Sequence, residues 1–301
     1  MSLPPPLSAS ASLPPPSHYG GTFQGASGTS RFEQVWLPPC CRGVVVLVHG
    51  YAEHIGRYQR LAHDLNRLDL AVHGYDQEGY GRSEGERAYM DELDPYVVDL
   101  ELFVRRVQQQ HPHLPCFVLG HSMGGLMAGL WATSYQPAVQ GLILSSPALI
   151  VKAPAALKSV ANVVSLLMPR LPTPPLTRDL ISRDPQVLLD AQRDPLNYHG
   201  ATLARTGAVI LEAARTLRDR LGQLNAPLLV FHGTADGIAD PQSSHLIYDQ
   251  AASADKTLHL FEGFYHETFN EPAADRQQVL DLLSTWIEAR LPSEARAATG
   301  A

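Results

Sequence analysis

The sequence predicts an α/β fold in which a mostly parallel central sheet is flanked by helices. Short, continuous apolar runs such as residues 43–48 and 228–231 are typical of parallel strands that helices cover on both faces. Stretches of helical periodicity separate these runs, as the connections of a parallel sheet require. Glycine, serine, aspartate and histidine follow the runs directly, at the carboxyl ends where open α/β sheets build their functional sites.

Composition and charge exclude several classes of function. The 301 residues are 45% hydrophobic and 18% charged, so the chain can bury a large core. The net charge of −7 argues against nucleic acid as a partner, because phosphate binding needs a basic face. No apolar run reaches the roughly 18 residues of a membrane span. Two of the three cysteines (Cys40, Cys41 and Cys116) are adjacent, so we expect neither a disulfide nor a metal site.

One turn, Gly120-His121-Ser122-Met123-Gly124, fits G-x-S-x-G, the pattern of a nucleophile elbow. The apolar residues 116–119 before it predict a buried strand, and the small-residue run 126–132 after it predicts a helix. Backbone approaches a serine on such a strained turn closely, and glycine on both sides removes the Cβ atoms that would clash. The pattern therefore predicts Ser122 as a nucleophile, with a tight structural turn as the alternative.

The elements before this turn follow in order. Residues 1–18 carry repeated prolines and predict a disordered tail, for which a PxxP ligand is an alternative. Residues 19–146 form the first part of the core, in which residues 22–37 predict an edge hairpin. The glycine-rich run 76–85 lacks the lysine of a phosphate-binding loop and is predicted as a hydrogen-bonded turn. Further buried strands are predicted at 43–48 and 70–75, and helices at 57–68 and 94–111.

The pattern changes after a predicted sixth strand at residues 140–145. Residues 147–225 contain two helical stretches, 155–168 and 202–221, around a proline-rich segment, which predicts a helical cap inserted after the sixth strand. Residues 226–291 form the second part of the core, and residues 292–301 a flexible end. The core elements predicted there are strands at 227–232 and 257–261 and helices at 242–252 and 273–291.

The first cap helix is apolar nearly all round, with leucine and valine on every face. It either packs against the body of the protein or shows an apolar face to lipid or to an acyl chain. A transient contact of the cap with a membrane or another lipid surface therefore stays open. Because the N-terminal stretch has no Lys or Arg and no continuous apolar core, we do not expect it to be a secretory signal. We expect a cytoplasmic protein, either free or peripheral at a membrane.

Three strand ends bring Ser122, Asp236 and His266 to one edge of the predicted sheet. A serine hydroxyl is a poor nucleophile near neutral pH, so it needs an imidazole to take its proton. The imidazole in turn needs a carboxylate to fix its tautomer and stabilise its charged form. The order Ser, Asp, His matches the catalytic triad of one large hydrolase class. Asp240 is an alternative acid, but it lies farther from the strand end and is expected to cap the helix near Pro241.

A second strand end supplies the other half of an oxyanion hole. The strand at residues 43–48 ends in His49-Gly50-Tyr51, upstream of the elbow. In this class of fold, that position donates one backbone amide to the oxyanion, and the residue after the nucleophile donates the other. We therefore predict an oxyanion hole made by the backbone N–H groups of Tyr51 and Met123.

Several short motifs, spread over about residues 20–290, occur together in this chain. They are His49-Gly50-Tyr51-Ala52-Glu53-His54 with Arg57-Tyr58, Asp76 with Gly79, Gly81, Ser83 and Gly85, the elbow 120–125, Leu144-Ser145-Ser146-Pro147, Ser182-Arg183-Asp184-Pro185, Asp194-Pro195-Leu196, His232-Gly233-Thr234-Ala235-Asp236, and His266. By these motifs the chain resembles the monoacylglycerol lipase and lysophospholipase branch of the α/β-hydrolase superfamily. The resemblance implies the α/β-hydrolase fold, no cofactor, and a small-molecule ester or lipid as substrate.

By this resemblance, Ser122 attacks the ester carbonyl, His266 acts as base and then acid, and Asp236 orients His266. The products would be a free fatty acid and glycerol, formed through an acyl-enzyme, and the cap would hold the acyl chain. Glu53 would lie near the glycerol end of the site, whereas its spacing from Arg57 predicts an ion pair instead.

One departure from the family keeps other substrates open. Several lipases of this group place an aromatic hydroxyl just before the cap's Asp-Pro-Leu, where this chain has Leu-Asp-Ala-Gln-Arg at 189–193. A broad carboxylesterase or a lysophospholipase with the same triad is therefore the alternative. A non-catalytic binding protein on a hydrolase fold is a remote one, because all three triad residues are present.

Overall fold

The computed structural model describes residues 17–152, 163–173 and 178–292. The proline-rich tail up to residue 16, residues 155–162 of the first cap helix and the end from residue 293 lie outside the described residues. The described strands are β1 (Ser17–Gln24), β2 (Ser30–Leu37), β3 (Gly43–Val48), β4 (Leu70–Tyr75), β5 (Cys116–His121), β6 (Gly141–Ser145), β7 (Leu228–Gly233) and β8 (Lys256–Phe261).

The eight strands form one sheet, which confirms the predicted fold class. Their order is β1-β2-β4-β3-β5-β6-β7-β8. All pairs from β4 to β8 are parallel, whereas β2 pairs antiparallel with both β1 and β4. Every residue of β3 to β7 is buried, which explains why these strands are continuous apolar runs without polar alternation.

The edge hairpin is present, but its first strand begins earlier than predicted. β1 starts at Ser17, two residues inside the stretch assigned to the tail. Ser17 and His18 pair with Leu37 and Trp36 of β2, and the His18 ring stacks on the Trp36 ring at 5.3 Å between centroids. These cross-strand contacts extend the ladder into a stretch whose local sequence carries no strand signal.

Helices cover both faces of the sheet. The described α-helices with defined bounds are α1 (Gln59–Asn66), α2 (Asp94–Gln110), α3 (Met123–Tyr135), α4 (Pro185–Arg193), α5 (Ala204–Arg220), α6 (Gln242–Gln250) and α7 (Ala273–Glu288). One core joins the sheet to α2, α3 and α5 through residues such as Phe103, Leu130 and Leu217. A second core on the other face joins it to α1 and α7 through Leu61 and Leu283.

The glycine-rich run after β4 is a hydrogen-bonded turn, as predicted. Gly79 N donates to Glu84 O at 2.9 Å. The Asp76 carboxylate accepts from Ile55 N at 2.7 Å and from Arg82 N at 2.8 Å, which ties the turn to the start of the short 3-10 helix Ile55–Tyr58 that follows β3. The run therefore has a structural role beside the segment that follows β3 and ends in a 3-10 helix (residues 49–58), called the β3 loop below.

The segment between β6 and β7 is largely helical. Residues 163–167, α4 and α5 are its described α-helices, and two short 3-10 helices, Arg178–Leu180 and Leu221–Gln223, add to them. Helix α4 is not among the predicted helices, although the sequence carries its start signals. Asp184 caps it by accepting from Gln186 N at 2.9 Å, and Pro185 occupies its first turn. Two isolated bridges involve this segment: Val151 with Ala239 ties its start to the loop after β7, and Pro172 with Leu203 joins two parts of the segment to each other. We call residues 147–225, the predicted cap, the inserted segment.

Candidate active site

Ser122 occupies a strained turn between β5 and α3. Its backbone has φ 54° and ψ −117°, a conformation that costs free energy in an ordinary residue. A Cβ at Gly120 would lie 2.4 Å from Gly124 O, and a Cβ at Gly124 would lie 2.2 Å from Val48 O. The glycines of the motif are therefore needed because backbone packs against backbone on both sides of the serine.

Ser122 and His266 line one cavity of about 350 Å³ at the carboxyl edge of the sheet. One part of its wall is apolar and comes largely from the inserted segment, with Ile181 and Leu188. The other part carries the charged side chains of the β3 loop and of the loop after β8. The lining residues are Gly50, Tyr51, Ala52, Glu53, Arg57, His121, Ser122, Ile181, Leu188, Ala191, Gln192, Asn197, His199, Gly200, Thr202, Ile238, His266 and Glu267.

Asp236 and His266 are directly bonded, as the order of strand ends predicts. Nδ1 of His266 donates to Oδ2 of Asp236 at 2.6 Å, because a carboxylate can only accept. The other oxygen, Oδ1, accepts from Ile238 N at 2.7 Å and Ala239 N at 3.0 Å. Asp236 is fully buried, so these bonds fix both the carboxylate and the orientation of the imidazole.

The pKa values of this pair move in opposite directions. Burial disfavours the ionised form of Asp236, but the adjacent His266 and the hydrogen bonds from His232 and His266 outweigh burial and lower its pKa. Burial also disfavours the charged form of His266, but the negative charge of Asp236 and its hydrogen bond raise the pKa of His266. The pair therefore holds an ionised carboxylate behind an imidazole of raised basicity.

Ser122 and His266 share the cavity wall without a hydrogen bond between their side chains in the described part of the chain. Bonds of this kind are often long in ligand-free enzymes and shorten when substrate binds. The His266 carbonyl accepts from Ser146 Oγ at 2.8 Å, and this bond ties the loop after β8 to the end of β6. The His266 backbone is thus held at the strand ends while its Nε2 side remains at the cavity.

The two predicted oxyanion residues lie beside Ser122. Met123 is the first residue of α3, so its N–H has no partner within the helix. Tyr51 lies on the cavity wall in the β3 loop. In that loop, Nδ1 of His49 bonds to Gly50 O at 2.8 Å, while its Nε2 accepts from Gln77 N at 2.9 Å. The backbone leading into Tyr51 is therefore anchored to the turn after β4.

Glu53 pairs with Arg57, as their spacing predicts. Oε2 of Glu53 lies 2.7 Å from Nη1 of Arg57. Oε1 accepts from Gly50 N at 2.6 Å and from the Tyr58 hydroxyl at 2.8 Å. Both oxygens of Glu53 are thus used within the β3 loop, where they hold the backbone beside Tyr51. The structure confirms the structural role of this carboxylate.

Two side-chain contacts near the cavity are not predicted by the sequence analysis. Arg57 also binds both oxygens of Glu267, at 2.7 and 2.8 Å, across 210 residues of chain. His232 binds Asp236 at 2.9 Å. No local pattern signals the first contact. The second could have been suspected, because His232 lies near the end of β7, only four residues before Asp236.

His121 is the remaining titratable group at the elbow. Its ring packs on that of His266 at 4.7 Å between centroids, and its Nδ1 lies 3.2 Å from Ser145 Oγ. Burial and the neighbouring His266 lower the pKa of His121 to about 3. His121 is therefore neutral near neutral pH and adds no charge beside His266.

The alternative acid, Asp240, has the capping role that we expected. Its Oδ1 accepts from Gln242 N at 3.0 Å at the start of α6. Asp236, in contrast, faces His266 directly. The hydrogen-bond partners therefore favour Asp236 over Asp240 as the carboxylate that orients His266.

The inserted segment is joined to the β3 loop by two bonds. Nε2 of His54 lies 2.8 Å from Oδ2 of Asp194, and Tyr198 N donates to Ala52 O at 3.0 Å. The His54 side chain also accepts at Nδ1 from Gly56 N, so its Nε2 is the nitrogen that donates to Asp194. The Asp-Pro-Leu turn of the inserted segment is thus held over the cavity.

Among residues 17–152, 163–173 and 178–292, no group of three or more His, Cys, Asp or Glu side chains is placed to hold a metal ion. No helix in the same ranges is long and apolar enough to cross a membrane.

A mostly parallel sheet with a serine on a strained strand-to-helix turn, and a bonded Asp–His pair on later strand ends, defines the α/β-hydrolase class of serine hydrolases. The sequence family described as "Serine aminopeptidase, S33" matches residues 39–273. The chain is 37% identical over 273 residues to the monoacylglycerol lipase of Mycolicibacterium smegmatis, covering 90% of this chain and 97% of that protein.

Two further comparisons agree. The monoglyceride lipase of Rattus norvegicus is 33% identical over 270 residues, which cover 88% of this chain and 89% of that protein. The crystal structure of the Paleococcus ferrophilus monoacylglycerol lipase superposes with a TM-score of 0.77 at 28% identity, covering 87% of this chain and 99% of that one. The chain belongs to this S33 family of α/β hydrolases, in the branch that contains the monoacylglycerol lipases, and it is a serine ester hydrolase.

Proposed function

We propose that the protein hydrolyses monoacylglycerols to a free fatty acid and glycerol, with Ser122 as nucleophile, His266 as acid and base, and Asp236 as the orienting carboxylate. The observation that carries this proposal is the bond between Asp236 and His266 at a cavity that also contains Ser122. The names of the relatives support the choice of substrate.

The reaction proceeds through an acyl-enzyme. Nε2 of His266 takes the proton of the Ser122 hydroxyl as Oγ attacks the ester carbonyl carbon, and the N–H groups of Tyr51 and Met123 bind the oxyanion. The intermediate collapses by breaking the ester C–O bond, and the leaving alcohol receives the proton from His266. Water then attacks the acyl group with His266 again as base, which releases the carboxylic acid and regenerates Ser122.

The two parts of the cavity wall suit the two parts of such a substrate. Apolar side chains of the inserted segment, Ile181 and Leu188 among them, would contact the acyl chain. The glycerol would lie toward the β3 loop, whose charged groups Glu53 and Arg57 are already bonded to each other. In this arrangement the inserted segment acts as the cap of the site, and residues 19–146 and 226–291 supply the core.

A broad carboxylesterase is the second candidate. The observation that favours it is the part of the cavity wall formed by the residues just before Asp194 in the chain. Ala191 and Gln192 line the cavity there, and residues 189–193 contain no aromatic hydroxyl. Less specific contacts to the alcohol would relax the preference for glycerol esters. A lysophospholipase would share the same triad and differ only in the head group that the cap admits.

Rates of hydrolysis for 1-monoacylglycerols from short to long acyl chains, beside methyl esters and lysophospholipids of matched length, test the proposal. We expect a clear preference for medium or long monoacylglycerols. Equal rates on methyl esters and monoacylglycerols would identify the protein as a broad carboxylesterase and not as a monoacylglycerol lipase. A fluorophosphonate probe should label the protein but not Ser122→Ala, and a folded protein that fails to label would be a non-catalytic binder.

We also propose that the protein docks on lipid surfaces through the inserted segment. Of the apolar residues in the first predicted cap helix that the structure describes, Val163, Leu166 and Leu167 are 60%, 76% and 77% exposed, and Met168 follows at 55%. Burying them in the body of the protein was the alternative, and this exposure argues against it. Clustered apolar side chains of this kind favour contact with a lipid surface that supplies the substrate.

A further inference from the structure

Asp236 binds two histidines, and the proposed triad uses only one of them. Nε2 of His232 lies 2.9 Å from Oδ2 of Asp236, the same oxygen that Nδ1 of His266 reaches at 2.6 Å. His232 is fully buried near the end of β7 and is absent from the cavity wall. It therefore contacts the site only through the carboxylate.

The partners of His232 define which of its nitrogens carries the proton. Because a carboxylate only accepts, Nε2 of His232 donates to Asp236. Nδ1 lies 2.8 Å from Oγ of Ser244, and in a neutral ring it accepts the proton of that hydroxyl. Burial lowers the pKa of His232. This effect outweighs Asp236 and the Ala239 carbonyl, which both raise it, so the ring is neutral near neutral pH.

The carboxylate of Asp236 is saturated by this arrangement. Oδ1 accepts two backbone N–H groups, from Ile238 and Ala239, and Oδ2 accepts one imidazole N–H from each histidine. A carboxylate offers about four acceptor sites, so all of them are occupied. Two donors therefore compete for the charge on the single oxygen that faces His266.

We propose that His232 is a positioning residue that tunes the basicity of His266 by sharing Oδ2 of Asp236. The inference rests on the triad in the proposed function. A second N–H donor draws negative charge away from the oxygen that stabilises the protonated His266 ring. Loss of this donor leaves more charge for His266, which then holds its proton to a higher pH.

Other charged groups face His266, and the experiment leaves them in place. Glu267, next to it in the chain, and Glu53, from the β3 loop, both raise the pKa of His266. Arg57 is bonded to both of these glutamates. The neutral ring of His121 packs against His266 from the elbow. None of these groups is a hydrogen-bond partner of the His232 side chain, so a change at His232 leaves their direct contacts intact.

The test is the pH dependence of kcat/KM in three variants, measured with a short-chain water-soluble ester so that acyl preference does not matter. His232→Asn keeps a polar group only at the Nδ1 position, toward Ser244, and loses the donor to Asp236. His232→Gln restores an N–H donor at the Nε2 position. Ser244→Ala removes a buried hydrogen bond of His232 but keeps its donor to Asp236.

We expect the acid limb of His232→Asn to move up by about half a unit to one pH unit, as loss of one charge-assisted hydrogen bond predicts. His232→Gln should return the acid limb toward that of the unmodified protein. Ser244→Ala should lower the melting temperature but leave the acid limb in place. A purely structural role would lower the melting temperature in all three and leave every limb in place, which would overturn the proposal.

Two further results separate the inference from the triad on which it rests. A limb that moves down in His232→Asn, or moves as far in His232→Gln as in His232→Asn, overturns the inference alone. Substantial turnover by Ser122→Ala with the same ester overturns the triad and the inference together. If His232→Asn does not fold, His232→Phe, which also lacks the donor to Asp236, takes its place: the limb should again move up, and a limb that stays in place overturns the inference. A limb that moves up in Ser244→Ala, which keeps the donor, also contradicts the proposal.

Discussion

Arg57 and Glu267 form a bidentate ion pair, with Nη1 and Nη2 of the arginine 2.7 and 2.8 Å from the two carboxylate oxygens. The pair joins the β3 loop to the loop after β8, which carries His266. Both side chains are nearly buried, at 12% and 4% exposure. The contact therefore fixes the distance between the loop that carries Tyr51 and the loop that carries the proposed general base.

Removal of Arg57 should destabilise the protein strongly. Arg57→Met leaves the carboxylates of Glu53 and Glu267 buried without their cation, and a broken buried pair costs about 3–5 kcal/mol. Urea denaturation measures this loss. The matched control is Arg67→Met, because Arg67 is 79% exposed in its pair with Asp64, and such pairs contribute about 0–1 kcal/mol. Equal effects of the two substitutions would show that the Arg57 network carries no special weight.

Gly124→Ala tests the close approach at the elbow. The new Cβ would lie 2.2 Å from the backbone oxygen of Val48, which cannot move without shifting β3. We expect a loss of stability of about 1–3 kcal/mol or more, as overpacking predicts, together with a large loss of turnover. Gly222→Ala is the control, because its Cβ meets no atom within 4 Å. An active, fully stable Gly124→Ala protein would contradict this account of the glycine.

The parts of the fold that could be predicted are those with local signals. β3 to β7 are buried on both faces, so each appears as an apolar run with polar residues at its carboxyl end. Parallel strands bring these ends to one edge, and that alone predicts that Asp236 and His266 meet. Their catalytic roles, and that of Ser122, stay a prediction.

The parts that could not be predicted depend on contacts distant in the chain. Nothing near Arg57 indicates Glu267, 210 residues away, and the chain offers 30 acidic residues as partners. Ser17 and His18 form a strand only because β2 is there to pair with them. Helix α4 differs, because Asp184 and Pro185 are local start signals that are sufficient to predict it.

Asp236→Asn and Asp240→Asn should separate the two aspartates. Asparagine at 236 can no longer hold His266 in the right tautomer as a full acceptor, so kcat should fall on the order of 10⁴-fold. Asparagine at 240 remains a good helix cap, so activity and stability should stay close to those of the unmodified protein. Steady-state kinetics on one ester decides. A larger fall in kcat for Asp240→Asn than for Asp236→Asn would show that Asp240 is the carboxylate of the triad.

The rate should depend on pH through His266, whose pKa is raised because Asp236 outweighs burial. Below that pKa the ring is protonated and cannot accept the proton of Ser122, so kcat/KM falls about tenfold per pH unit. We expect the midpoint of this acid limb to lie above about pH 6.5, the ordinary pKa of histidine. A limb well below this value would show that Asp236 does not raise the basicity of His266.

This acid inactivation should be reversible, because neither group of the pair unfolds the protein in that range. A raised pKa makes His266 stabilising at acid pH, and this contribution is lost only as the pH rises through the folded value. The lowered pKa of Asp236 makes it stabilising above about 3.9, and this contribution is lost only at lower pH. Circular dichroism at about pH 5 should show the folded protein, and return to neutral pH should restore full activity. Irreversible loss would assign the limb to unfolding.

Charge placed on the exposed leucines of the inserted segment should weaken docking on lipid. Leu166 and Leu167 are 76% and 77% exposed, and each leucine that enters an apolar phase contributes about 1.5–3 kcal/mol when fully buried. Leu166→Glu with Leu167→Glu should reduce co-sedimentation with phosphatidylcholine vesicles at least about tenfold, while hydrolysis of a soluble short-chain ester stays unchanged. Leu102→Glu is the control, because Leu102 is 42% exposed on α2, outside the segment. Equal loss of vesicle binding in the control would mean that general charge, and not this surface, governs the contact.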